Sequence, residues 1–106
     1  MTRRALVLGG TGHVGSAVLD VFAASGVTTM FTWHTDELRA SELAQRTAAA
    51  PHRLDLRNDE AVISFARNLI AGDQVPDVIV HVAAHPDWRS IDELDLAGWD
   101  DVFDVT

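Results

Sequence analysis

The residues with the plainest chemical consequence are Gly9-Gly10-Thr11-Gly12-His13-Val14-Gly15, which set glycines at positions 9, 12 and 15. They stand between an apolar run too short for a helix, Ala5-Leu6-Val7-Leu8, and a segment with helical periodicity. Gly9 permits a tight turn, Gly12 lets the backbone approach a pyrophosphate, and Gly15 lets the helix lie close on the strand. The start of that helix offers unpaired N–H groups to the same anion. A tight turn without a ligand is the alternative, and the flanking strand and helix weigh against it.

The remaining chemistry is narrow. Cysteine is absent, which removes disulfides, thiolate catalysis and cysteine-based metal sites. There is no tyrosine, and all 8 basic residues are arginine, so no phenol and no lysine ammonium is present. Of the 5 histidines, His81 and His85 are four apart across a strand and its following loop, a spacing that does not put both on one helical face, so no metal site is expected. The plain expectation for His81 is a buried, hydrogen-bonded imidazole at the strand end. Trp88 and Arg89 are equally loop packing or part of a substrate mouth. The net charge of -8 argues against a nucleic-acid surface.

These groups must be held by alternating strands and helices. At 106 residues and 47% hydrophobic content the chain is one soluble globular domain, 1–106, with no membrane span and no signal-peptide core, and a cytoplasmic location is expected. Residues 5–8 form the first strand. Val14, Ala17, Val18, Val21 and Phe22 recur at helical spacing and predict a helix with that stripe inward, ending near Gly26. Residues 28–33 are β-branched and aromatic and read as the second strand. Thr35 caps the second helix, whose stripe of Leu38, Leu43 and Ala44 is ragged and which Pro51 closes. His52-Arg53-Leu54 is a short third strand. Asn58 caps a third helix with Val62, Phe65, Ala66, Leu69 and Ile70 inward and Gly72 as its stop. Residues 78–82 read as a strand buried on both faces, central in a larger sheet. The segment from Asp87 onward carries seven acidic residues and one Arg, a solvated acidic face, on a loop and a final helix with Trp99, Val102 and Phe103 inward.

Each strand-to-strand connection is long enough to cross over, so the strands pair in parallel by right-handed crossovers. The expected fold is α/β, a Rossmann-like doubly wound sheet of strand order 3-2-1-4 in three α/β/α layers. The first two helices cover one face and the third and fourth the other, with the ligand crevice at the switch point between strands one and four. A sheet ending at an apolar fourth strand leaves an open edge, so the domain reads as incomplete and in need of its remaining half or an oligomeric partner.

Over the whole chain the pattern resembles the N-terminal half of the short-chain dehydrogenase/reductase superfamily, which binds NAD or NADP on a Rossmann fold. The loop fits that family's Gly-x-x-Gly-x-x-Gly form. Val80-His81-Val82-Ala83-Ala84 resembles the His-hydrophobic-Ala-Ala motif of its extended branch, where the reductase branch has Asn-Asn-Ala-Gly. Asp55 and Leu56 stand where the family places an Asp and an apolar residue beside the adenine. Residues 99–106 resemble the segment leading to a helix-four Asn, with Thr106 in the place of that Asn. The resemblance implies cofactor contacts at Gly9, Thr11, Gly12, His13, Val14 and Gly15, at His34 and Thr35, at Asp55 and Leu56, and at Ala83 and Ala84.

The family's catalytic Ser and Tyr-x-x-x-Lys lie downstream of these residues, so no catalytic residue is assigned and the chain alone is expected to be inactive. In a complete member the Tyr serves as acid or base and the nicotinamide carries the hydride. NAD-preferring members have an acidic residue at the end of strand two. Here Trp33 takes that place, and His34 and Thr35 can face a 2′-phosphate, so NADP is expected, with NAD possible. The implied function is the cofactor-binding portion of an oxidoreductase acting on a small carbonyl or alcohol. The other reading is a non-catalytic NAD(P) sensor or interaction module.

Overall fold

The computed structural model describes residues 3–82. Its elements run β1 (Arg4–Leu8), α1 (His13–Ala24), β2 (Thr28–Trp33), α2 (Glu37–Thr47), β3 (Ala50–Arg53), α3 (Asp59–Ala71) and β4 (Val78–His81). The strands form one parallel sheet in the expected order β3-β2-β1-β4. The fourth helix expected around Trp99 lies outside the described residues, as do Ala83, Ala84, His85 and the acidic segment.

Strand alternation divides the core into two layers. Val7 and Phe31 face α1 and α2 and are buried with Leu19, Ala40, Leu43 and Ala49. Leu6 and Met30 face α3 and are buried with Leu69, flanked by Phe65 and Leu8. Two helices on one face and the third on the other is the expected doubly wound arrangement. The start of β4 is locked to β1 by paired hydrogen bonds: the Asp77 amide donates to the Arg4 carbonyl at 2.7 Å, and the Arg4 amide donates to Asp77 Oδ2 at 2.9 Å.

Several local expectations are corrected. The inward residues of α1 are Gly15, Ser16 and Leu19, whereas Val14 and Val21 are each 64% exposed. With His13, Ala17, Val18 and Phe22 they line an open apolar groove, and of the expected stripe Val18 and Phe22, both half-buried, also pack against the core. The helix has two apolar arcs, and the glycine-mediated contact described below selects the one that faces the sheet. In α2 the buried residues are Ala40 and Leu43, while Leu38 points outward. Its cap is Asp36, whose side chain accepts from the Arg39 amide at 3.1 Å, and Thr35 is exposed just before it. The helix ends at Ala48, which adopts the left-handed conformation at φ 61°, and Pro51 lies inside β3 opposite Phe31. Proline is tolerated there because β3 is an edge strand among the described residues, and the missing N–H falls on its unpaired side.

Asn58 caps α3 as expected, accepting from the Ala61 amide at 3.1 Å. Only part of its stripe turns inward: Leu69 is buried, Val62 and Phe65 half-buried, and Ala66 and Ile70 exposed. In β4, Val78 and Ile79 are exposed because no strand beyond it is among the described residues, so this strand is an edge and not yet a centre. His81 is exposed at the end of β4, not buried.

Candidate functional site

All four strands run parallel, so their carboxyl ends share one rim, and the loops after β1, β2 and β3 meet there. The turn after β1 is built around hydrogen bonds to β2. Gly9 has φ 89°, a conformation open to glycine and strained for other residues, and its amide donates to Thr32 Oγ1 at 3.1 Å. The Gly10 amide donates to the Thr32 carbonyl at 3.0 Å. Thr32 is 1% exposed, so its hydroxyl is a buried strut under the loop.

The three glycines of the spaced motif have three different surroundings. A Cβ on Gly15 would lie 2.5 Å from the Gly9 carbonyl oxygen and 2.8 Å from Gly10 Cα. The helix therefore lies against the loop backbone, which refines the expected close approach to the strand. A Cβ on Gly12 would meet nothing within 4 Å, so this position opens on free space. Gly10, which the motif spacing did not single out, is the second tight point: a Cβ there would sit 2.8 Å from the buried Phe31 ring.

Gly12 is the N-cap of α1 and gives it no side-chain cap, and the first turn carries no acidic residue. The amides of the first turn are thus left to an outside acceptor. Ser16 steadies the turn from below, its hydroxyl donating to the Gly12 carbonyl at 2.7 Å and lying 3.2 Å from the His13 carbonyl. Thr11 is half-buried, and His13 and Val14 are exposed at the mouth.

A second cluster forms where β2 and β3 end. Trp33 and Arg53 are in register as the last residues of the two strands. The Arg53 guanidinium carbon lies 5.7 Å from the centroid of the Trp33 ring, and Arg53 Nε donates to the His34 carbonyl at 3.3 Å. His34 Nε2 is 3.7 Å from Asp55 Oδ2. Asp55 Oδ1 accepts from the Arg57 amide at 3.0 Å and from Arg57 Nε at 3.3 Å. The Arg57 backbone hydrogen bond, joined by its guanidinium and by His34, holds the Asp55 carboxyl below its ordinary range against the opposing effect of burial. Leu54 is buried, its amide donating to the Trp33 carbonyl at 2.8 Å, and Leu56 is half-buried beside it.

The structure thus brings the expected residues to one rim: Gly9, Thr11, Gly12, His13, Val14 and Gly15 after β1, His34 and Thr35 after β2, and Asp55 and Leu56 after β3. Gly10, Ser16, Thr32, Arg53 and Arg57 also build this rim and were not singled out. A threonine in the middle of a strand and an arginine at a strand end carry no signature until the strands are paired. Among the described residues no group of three His, Asp or Glu could hold a metal ion, and no helix is long and apolar enough to cross a membrane.

Residues 5–102 match the family model described as "NAD dependent epimerase/dehydratase family". This chain belongs to that family. A curated relative, "Probable galactose dehydrogenase GalD" of Rhizobium meliloti (strain 1021), is 32% identical over 108 residues, covering 97% of this chain and 42% of the relative. A solved structure of BdcA in complex with NADPH superposes with a TM-score of 0.86 at 27% identity, covering 97% of this chain and 41% of that one. A variant of a Serratia marcescens short-chain dehydrogenase/reductase has the same TM-score at 22% identity, covers 97% of this chain and 44% of its own, and shows the shared fold. The chain spans less than half the length of these relatives. Membership places residues 5–102 in a family that is NAD dependent by description.

Proposed function

We propose that this chain binds NADP across the carboxyl ends of β1, β2 and β3, with NAD as the weaker ligand, and so forms the cofactor half of an oxidoreductase acting on a small carbonyl or alcohol. The observation that carries the reading is the uncapped first turn of α1 behind a Gly12 that opens on free space, while Gly10 and Gly15 are packed tight. A phosphate needs that combination: donors aimed outward, no side chain in front of them, and a loop that cannot drift.

In this reading the first-turn amides of α1 and the loop from Gly9 to Gly12 hold the pyrophosphate, with Thr11, His13 and Val14 along its path. His34 and Thr35 face the adenosine ribose and Asp55 and Leu56 border the adenine, with Ala83 and Ala84 assigned to the cofactor on the family resemblance. No carboxylate stands at the last position of β2, where an acidic residue would accept from a ribose 2′-hydroxyl, and Asp36 is occupied as the cap of α2. This supports NADP over NAD. The bound nicotinamide supplies hydride transfer. The chain's own residues bind and orient, since it has no Tyr or Lys to serve as the family's acid and its partner, and alone it is inactive.

Hydride transfer is favoured over sugar-nucleotide epimerisation because the 32% identical relative is named as a galactose dehydrogenase. Calorimetric titration of the purified protein with NADPH and NADH tests the reading. Saturable binding with NADPH the tighter is expected, and no binding of either at millimolar concentration refutes it.

A further inference from the structure

Arg53 is set apart from the other cation of its cluster. Arg57 is spent on Asp55, to which it donates from both its amide and its side chain. Asp55 in turn faces Arg57 and His34 and not Arg53. Arg53 gives its Nε–H to the His34 carbonyl and rests on the Trp33 ring. A guanidinium has five N–H donors, so four remain, and among the described residues no carboxylate forms an ion pair with it. Trp33 holds the fork, and the strand end fixes where it stands, which reduces the entropy lost when an anion is bound.

We propose that Arg53 is the residue that selects NADP, by donating its terminal N–H groups to the 2′-phosphate of the adenosine ribose. The inference rests on the cofactor reading above and assigns a contact on β3 that the loop motif and the end of β2 do not contain. With the pyrophosphate at the start of α1, the adenosine extends over the end of β2, roughly 20 residues beyond the glycine loop, where the ribose 2′ position is read. That position is Trp33, and Arg53 is its registered neighbour one strand away, about 4.8 Å across the sheet. A phosphate monoester dianion and a guanidinium fork match in both charge and shape. In a chain of net charge -8, an arginine without a carboxylate partner is where such an anion is drawn.

The test is titration of the purified protein and its Arg53→Gln and Arg53→Lys variants with NADPH, NADH, adenosine 2′,5′-bisphosphate and 5′-AMP, with thermal melting alongside. Arg53 is exposed on an edge strand, so both variants are expected to melt within a few degrees of the parent. The expected result is a loss of about tenfold or more in affinity for NADPH and for the bisphosphate in Arg53→Gln. NADH and 5′-AMP should stay within about twofold, and Arg53→Lys should fall between. Equal losses for NADPH and NADH, or no loss for either, overturn the role of Arg53 while leaving dinucleotide binding intact. A parent protein that binds neither dinucleotide overturns the cofactor reading itself, and this inference with it.

Discussion

Alanine placed at two glycines only three residues apart should have opposite consequences, one falling on stability and the other on the ligand. At Gly15 the new Cβ would stand 2.5 Å from the Gly9 carbonyl oxygen and 2.8 Å from Gly10 Cα. Both are backbone atoms of a turn pinned to Thr32, so no side chain can swing aside, and α1 must withdraw by roughly 0.7 Å to restore ordinary contact distance. Overpacking of this kind costs about 1–3 kcal/mol, and replacing glycine by alanine inside a helix returns about 0.5–1 kcal/mol. A net loss centred on about 1 kcal/mol and reaching at most about 2.5 kcal/mol follows, and about 1 kcal/mol in a domain of this size lowers Tm by roughly 4–8 °C.

At Gly12 the backbone is extended at φ -76° and ψ 176°, and a Cβ meets nothing. Alanine is a poorer N-cap than glycine by a fraction of about 1 kcal/mol, and the stiffer unfolded chain offsets about 0.4–1 kcal/mol, so the Tm of Gly12→Ala should stay within about 3 °C of the parent. Its methyl group, however, projects into the space assigned to the pyrophosphate, and NADPH affinity should fall at least about tenfold. Differential scanning fluorimetry gives the first quantity and calorimetric titration the second. If Gly12→Ala binds NADPH as the parent does, the first turn of α1 is not the phosphate cradle, and the reasoning from its open surroundings fails.

Other expectations can be checked on the same preparation. Thr32→Val removes the acceptor for the Gly9 amide in a fully buried place, so a loss of about 1–3 kcal/mol in urea unfolding is expected, with Thr32→Ser recovering much of it; equal stability of Val and Thr would deny the strut. Asp77→Ala removes the side-chain acceptor for the Arg4 amide, and amide exchange across 78–82 should quicken well before that of β1; uniform exchange would show that this lock does not hold the edge. Asp55 has a folded-state pKa below its unfolded value, so its favourable contribution is present above about pH 4 and is lost as pH falls through the lower folded value. Asp55→Asn should therefore flatten the acid limb of the stability profile and leave the slope near pH 7 unchanged; an unchanged acid limb would contradict the Arg57 hydrogen bonds as the cause.

The order of the strands and the place of the phosphate loop were both legible in the residues. Short strand-like runs separated by helical repeats favour parallel pairing, and placing the first two helices on one face and the later ones on the other, with right-handed crossovers, gives the order β3-β2-β1-β4. Gly9 and Gly15 were legible because a backbone with positive φ or with no room for a Cβ requires glycine whatever the rest of the fold does, whereas the fold itself leaves room for a side chain at Gly12, which only the motif spacing marked.

The rotation of α1 about its axis was decided by tertiary structure alone. Of the stripe Val14, Ala17, Val18, Val21 and Phe22, Val18 and Phe22 do pack against the core, but Val14 and Val21 are exposed and the fully buried positions are Gly15, Ser16 and Leu19. Periodicity gives the spacing of a face, but when a helix carries two apolar arcs only contact selects between them, and here the contact of Gly15 with the loop backbone does so. Pro51 shows the same limit from the other side, since its place in β3 is permitted by an edge that exists only once the sheet is assembled. Arg53 meets Trp33 and the His34 carbonyl across about 20 residues of chain because β2 and β3 pair in one register, and no local pattern records a register.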